Sequence, residues 1–411
     1  MNNIDPMTLL RQESDRDNHE AQNALGKALW SENRAESVYW LRSAARGGHL
    51  DLSGLPLKDV DMLADWPELR HLKELDLSKC EALENVDGVS GLTCLRRILL
   101  RECGALNNVD GLAGLLLLDE VDLFLCESLA NVDALARLTQ LTRLDLSFCS
   151  SLPDVNVLAG LTQLTVLGLD WCGSLKDLDC LPQATDLRRL SLGGCESLTN
   201  VEGLTKFPRL AELDLCHCPS RVNLDVLSQM TSLTNLCLVG NKRLKTVDGL
   251  AGLTRMRTLI MRDCAALIHV DGLARMTELT LLGLNDCSSL SNIDGLARLN
   301  QLRDLSMGEC QGLKNLEVLS GLTGLTELDL RSCKILRNVD LLTPLTALTE
   351  LNLSDCTALT SIDGLEKLQG LTRLCLGGCT ALKNTDVLVG LPHLQTPDPR
   401  RSWGRACEDE S

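Results

Sequence analysis

From Leu72 onward the chain repeats one pattern of apolar and polar positions every 23 residues. Aliphatic residues stand at places 1, 4, 6, 12, 15, 18 and 21 of the unit, and Leu348 to Gly370, LTELNLSDCTALTSIDGLEKLQG, is representative. Fourteen gapless copies end at His393, and only Arg221 and Thr385 break the apolar columns. Two periodicities share each unit. The LxLxx segment alternates with period two, which predicts a short strand with its leucines turned inward. The VDGLxxL segment is spaced by three, which predicts a 3₁₀ or α turn packed across the back. A unit with one strand and one turn buries only half a core, so copies must stack, strand beside strand in a parallel ladder.

Two polar columns run through this lattice. Place nine holds Cys80, Cys103, Cys126, Cys149, Cys172, Cys195, Cys218, Asn241, Cys264, Cys287, Cys310, Cys333, Cys356 and Cys379. A chain leaving a strand into a buried loop needs partners for its backbone groups, which a thiol or an amide side chain supplies. Asn241 can do that and cannot do thiol chemistry, so the column reads as a structural ladder of free thiols. Place sixteen is acidic from Asp87 to Asp386, with Asn156 the one neutral member. Its position ahead of each turn predicts an N-cap acceptor. The competing reading, a calcium ladder, asks for several acids per turn where each unit supplies one.

On these residues the chain resembles the leucine-rich repeat proteins. The 23-residue unit is similar to internalin-type and phosphatase-regulator repeats, and its Cys at place nine to kinetoplastid and bacterial-effector repeats. The resemblance implies an α/β solenoid shaped as a horseshoe, with a parallel sheet on the concave face and short 3₁₀ or α turns on the convex face. It implies a protein-binding scaffold that meets a protein or peptide on the concave face. A regulatory or inhibitory subunit of an enzyme, as in phosphatase-regulator and ribonuclease-inhibitor repeats, or a secreted effector of a pathogen or symbiont, are the alternatives it allows.

The flanks differ from the array. Residues 1–48 are expected to be a helical cap. Within it, Ala21, Ala24, Leu25, Ala28 and Leu29 form one apolar face and Val38, Tyr39, Leu41, Ala44 and Ala45 a second. This helix pair resembles a single Sel1-type repeat, and Trp30, Trp40 and Trp66 suit a sealing role. Residues 49–71 read as an irregular capping repeat a few residues out of phase. Residues 394–411 read as a disordered tail, whose Cys407 is outside any prenylation signature.

Composition narrows the function. A net charge of −16 opposes tracking of a nucleic-acid backbone. The start, MNNIDPMTLLRQESDRDNHE, lacks the form of a signal peptide, and no run of about 18 apolar residues occurs to span a membrane. Nineteen cysteines, an odd number, then suit a reducing, cytoplasmic setting better than a disulfide framework; export without a classical signal is the alternative. No histidine has a nucleophile or carboxylate at a catalytic spacing and no P-loop, HExxH, GxSxG or GxGxxG motif is present, so neither an enzyme nor a cofactor is expected. A monomer is the default.

Aromatics make up only 2% of the residues, which gives their placement meaning. Phe124, Phe148 and Trp171 occupy places seven or eight of consecutive copies, on or beside the expected concave face. Leu99 and Leu125 extend the strip, and Arg97, Arg101, Arg143, Asp122, Asp145 and Asp170 surround it. Aromatics with Arg at the margin have the composition of an interface hot spot. Cys216, Cys237 and Cys375 fall on outward places. The run Cys216-His217-Cys218 looks metal-like, but alternation along a strand sends His217 away from Cys216, and no metal site is expected there.

Overall fold

The computed structural model describes residues 6–14, 18–218 and 224–395. In each copy places three to five form a three-residue strand centred on the first apolar residue of LxL, which is buried; in strands such as Glu74–Asp76 and Glu120–Asp122 its two neighbours are partly exposed. The chain forms two units, Met1–Leu198 and Thr199–Ser411. The first holds β1 (His49–Asp51), β2 (Glu74–Asp76), β3 (Arg97–Leu99), β4 (Glu120–Asp122), β5 (Arg143–Asp145), β6 (Val166–Gly168) and β7 (Arg189–Ser191). They pair in parallel, each with the next, in sequence order. The second unit repeats this with β8 (Glu212–Asp214), β9 (Asn235–Cys237), β10 (Thr258–Ile260), β11 (Leu281–Gly283), β12 (Asp304–Ser306), β13 (Glu327–Asp329), β14 (Glu350–Asn352) and β15 (Arg373–Cys375).

Short 3₁₀ turns such as Asp110–Leu112 and Asp133–Arg137 pack behind the strands, so each unit is the expected solenoid of strand face and turn face. The aliphatic columns form its core; Leu100, Leu123, Leu146 and Leu169 are fully buried. The break at Arg221 and nearly all of the expected tail lie outside the described residues.

The acids Asp87, Asp110 and Asp133 of place sixteen do not cap their turns. At Asp87, Asp110 and Asp133 the turn begins with the acid itself, and the preceding residue makes no side-chain capping bond. The acceptor sits two residues earlier. Asn85, Asn108, Asn131 and Asp154 each take the backbone N–H of place sixteen on a side-chain oxygen, at 2.8–3.1 Å. The reason is reach: a side chain that closes back on an N–H two residues ahead belongs to the residue before the apolar one, as in an Asx turn.

The N-terminal cap has three helices, α1 (Pro6–Ser14), α2 (His19–Ala28) and α3 (Arg34–Ala44), one more than the sequence suggests. Its buried faces also differ. Ala24, Ala28 and Tyr39 are exposed, while Gln22, Asn23 and Ser37 are buried. Those polar groups turn inward because each has a partner there, Ser37 Oγ donating to the Gly26 carbonyl at 2.6 Å and Gln22 Nε2 to that of Ser14 at 2.9 Å. Residues 49–71 are a true repeat: β1 pairs with β2 in register, His49 opposite Glu74. Its apparent phase shift has two parts: the path from strand to turn, His49 to Asp61, is one residue shorter than from Glu74 to Asp87, and a second 3₁₀ turn, Pro67–His71, lengthens the return to the next strand.

Candidate functional site

After each strand the chain must turn sharply, and place eight does it. Lys79, Glu102, Leu125, Phe148, Trp171, His217, Asp263, Asp286, Glu309, Ser332 and Asp355 all have φ between 52° and 63°, and Gly194, Gly240 and Gly378 take up the same column at 67–75°. Left-handed backbone is costly for residues with a Cβ, and it throws the place-eight side chain sideways along the stack rather than straight off the sheet. The rings of Phe148 and Trp171 are laid down in this way. Phe124, one place earlier, meets Phe148 edge-on at a centroid distance of 5.3 Å, and Phe148 stacks on Trp171 at 5.8 Å. The row ends against Gly194, where an added Cβ would lie 2.4 Å from the Trp171 ring.

At the other end the Arg101 guanidinium sits 4.5 Å above the Phe124 ring and pairs with Asp122 at 3.0 Å. Burial pushes the Asp122 carboxyl up from its ordinary range, and its bonds to the Phe124 N–H and to Arg101 work against that. Trp171 is 43% exposed; Phe124, Leu125 and Phe148 are half-buried. The carboxylates named with the strip hold backbone. Asp122 and Asp145 accept from the N–H groups of Phe124 and Ser147 at 3.1 and 2.9 Å, and Asp170 from that of Gly193 at 2.6 Å.

Arg97 and Arg143 do not join the rings. They alternate with Glu74 and Glu120 across adjacent strands, at 3.1–3.6 Å, as an ion-pair ladder along the sheet. Leu99 is half-buried on β3, in the sheet column of Asp76 and Asp122. Gly194, absent from the sequence-based strip, completes it. Its one signal in the sequence is the Gly-Gly pair ahead of Cys195.

Behind the sheet, the place-nine thiols donate to the carbonyl of place six in the preceding copy. Cys103 reaches Leu77 at 3.2 Å, Cys126 reaches Leu100 at 3.1 Å, and Cys195 reaches Leu169 at 3.2 Å. Asn241 makes the same bond to Leu215 at 2.9 Å and a second to Leu238 at 2.8 Å. No disulfide joins any of the described cysteines. Burial pushes the thiols of Cys149, Cys195 and Cys356 up to about 12. On the strand face, Cys216 and Cys237 lie together beside Asp214, and the ring of His217 is carried away over the backbone of Gly240.

Residues 283–395 match the BspA-type leucine-rich repeat region family in six copies, and residues 68–90 match a leucine-rich repeat family. A solved internalin, inlF, of Listeria monocytogenes superposes with a TM-score of 0.56 at 20% identity, over 80% of this chain and 87% of its own. A leucine-rich repeat protein of Leptospira interrogans gives a TM-score of 0.64 at 21% identity, over 80% of this chain and 83% of its own. At such identities the likeness is one of fold. No curated protein sequence matches the chain.

Proposed function

This chain is a leucine-rich repeat protein, and on that premise we propose that it is a non-catalytic scaffold that captures a protein or peptide partner on the strand face of residues 1–198. The contact surface in this reading is the row Phe124, Phe148 and Trp171, with Leu125 beside it and Arg101 at its end. One observation carries it. Three of the chain's few aromatic rings form an unbroken row, one contact edge-on and one stacked, and the widest ring stays 43% exposed. Stacked rings with an arginine at the margin are what hot spots are made of, because they offer area at little entropic cost. The free ladder thiols support placing the protein in a reducing compartment.

The test is capture of a partner from native lysate by the full chain and by the triple variant Phe124→Ser, Phe148→Ser, Trp171→Ser, with circular dichroism as the fold control. Loss of the partner by a folded variant is the expected outcome. Undiminished capture would remove the row from the interface. A captured enzyme, stoichiometric and altered in activity, would specify the scaffold as a regulatory subunit.

A further inference from the structure

We propose that Asp214, Cys216 and Cys237 form a binding site for a zinc-class divalent cation on the strand face of residues 199–411. The parallel register of β8 and β9 sets Asp214 directly opposite Cys237. Cys216 follows Asp214 by two residues, so its side chain returns to the same face. The two sulfurs approach to 2.7 Å, and a carboxylate oxygen of Asp214 and both sulfurs lie within 4.8 Å of one another. All three residues are half-buried. The carboxylate is already oriented, because it accepts the Cys216 N–H at 2.7 Å.

The donor set selects the ion. Two sulfurs exclude calcium and magnesium, which take oxygen ligands. A carboxylate beside two thiolates suits a borderline ion such as zinc better than copper(I), which favours soft ligands alone. Zinc–sulfur bonds of 2.3 Å in a tetrahedron hold the sulfurs about 3.8 Å apart, so the pair opens by about 1 Å, within the range of side-chain rotation. Binding releases two protons, one from each thiol, and water on the open face takes the fourth position. The same carboxylate argues against a disulfide at this pair. Its negative charge opposes the thiolate that thiol exchange requires, whereas a cation turns all three groups into ligands. His217 takes no part, as its left-handed backbone places its ring on Gly240.

The reduced full chain, titrated with cobalt(II) and then zinc(II), tests this. The expected result is one ion per chain, sulfur-to-cobalt charge-transfer absorption that zinc displaces, and two protons released per ion. Cys216→Ser and Cys237→Ser each lose the absorption, Asp214→Asn weakens binding, and Cys375→Ser leaves it unchanged. Alkylation of the unmutated chain gives a reading independent of variant folding: zinc should shield Cys216 and Cys237 and leave Cys375 reactive. Absence of a cobalt–sulfur band, equal binding by both serine variants, or a Cys216–Cys237 disulfide forming in preference when glutathione disulfide and zinc are offered together would each overturn the site.

Discussion

The side-chain amide of Asn23 occupies the place of a missing strand beside Asp51: its Nδ2 donates to the Asp51 carbonyl at 2.7 Å, and its Oδ1 accepts the Asp51 N–H at 3.1 Å. β1 is the outer strand of the first unit, and an open edge is a template for unwanted pairing. Helix α2 closes it with this one side chain, and Lys27 adds an ion pair to the Asp51 carboxylate at 2.9 Å. Asn23→Ala leaves two backbone groups unpaired, at a cost of about 1–3 kcal/mol. Asn23→Asp keeps an acceptor but loses the donor and sets a second charge beside Asp51. Both variants should speed amide exchange at Asp51 and lower the urea midpoint. Unchanged exchange in Asn23→Ala would show that the helix is held by other contacts.

The turns give a sharper comparison within one copy. Asn108 takes the Asp110 N–H at 3.1 Å, whereas the Asp110 side chain is exposed and caps nothing. Asn108→Ala should therefore cost about 1 kcal/mol, the usual loss of a capping side chain. Asp110→Ala should cost only a few tenths, the residue of its favourable position at a helix start. Chemical denaturation of the two variants decides it, and the reverse order would return the capping role to place sixteen.

This pair also shows where the sequence stops being legible. The 23-residue apolar columns placed the strands and turns because burial of leucine depends on spacing alone. The aromatic row followed from the same register, since side chains a unit apart become neighbours. Asn108 and Asp110 are both suitable acceptors, and only backbone geometry separates them. Place eight was hidden for another reason: Leu125, Phe148 and Trp171 are poor candidates for left-handed backbone, and the turn imposes it on them. The buried face of α2 depends on Asp51, 28 residues away, which no local periodicity reports.

The buried thiols make stability fall in alkali. In the unfolded chain a thiol titrates near its ordinary value of 9.0, while burial holds Cys149, Cys195 and Cys356 protonated up to about 12. Below pH 9 both states carry the proton and these groups add no pH dependence. Between 9 and 12 only the unfolded state ionises, so unfolding releases protons and stability drops as pH rises, by up to ~1.4 kcal/mol per pH unit for each thiol. Urea midpoints measured in reductant from pH 7 to 11 should be level at first and then fall steeply. Cys149→Ala and Cys195→Ala should each cost stability at pH 7 but flatten the alkaline limb. A limb equally steep in the double variant would assign it to other groups.

Trp171 and Gly194 test whether the aromatic row is a packed unit or an accident of neighbours. Gly194 has φ 67°, and an added Cβ would fall 2.4 Å from Cδ2 of the indole, so Gly194→Ala meets two separate penalties. The left-handed backbone costs about 1 kcal/mol for alanine whatever surrounds it. The second penalty exists only while the ring is there: the indole must swing outward, giving up its stacking on Phe148, worth about 0.5–1.5 kcal/mol. A double-mutant cycle with Trp171→Ala separates the two. Gly194→Ala should cost roughly 2 kcal/mol in the native background and about 1 kcal/mol beside Trp171→Ala, and tryptophan emission should shift in the first case alone. The displaced ring would also no longer face a partner together with Phe148, so capture should weaken in Gly194→Ala although no contact residue has been replaced. Equal costs in the two backgrounds, with unshifted emission, would mean that the indole does not rest on Gly194, and the row would lose the support that holds its widest ring in line.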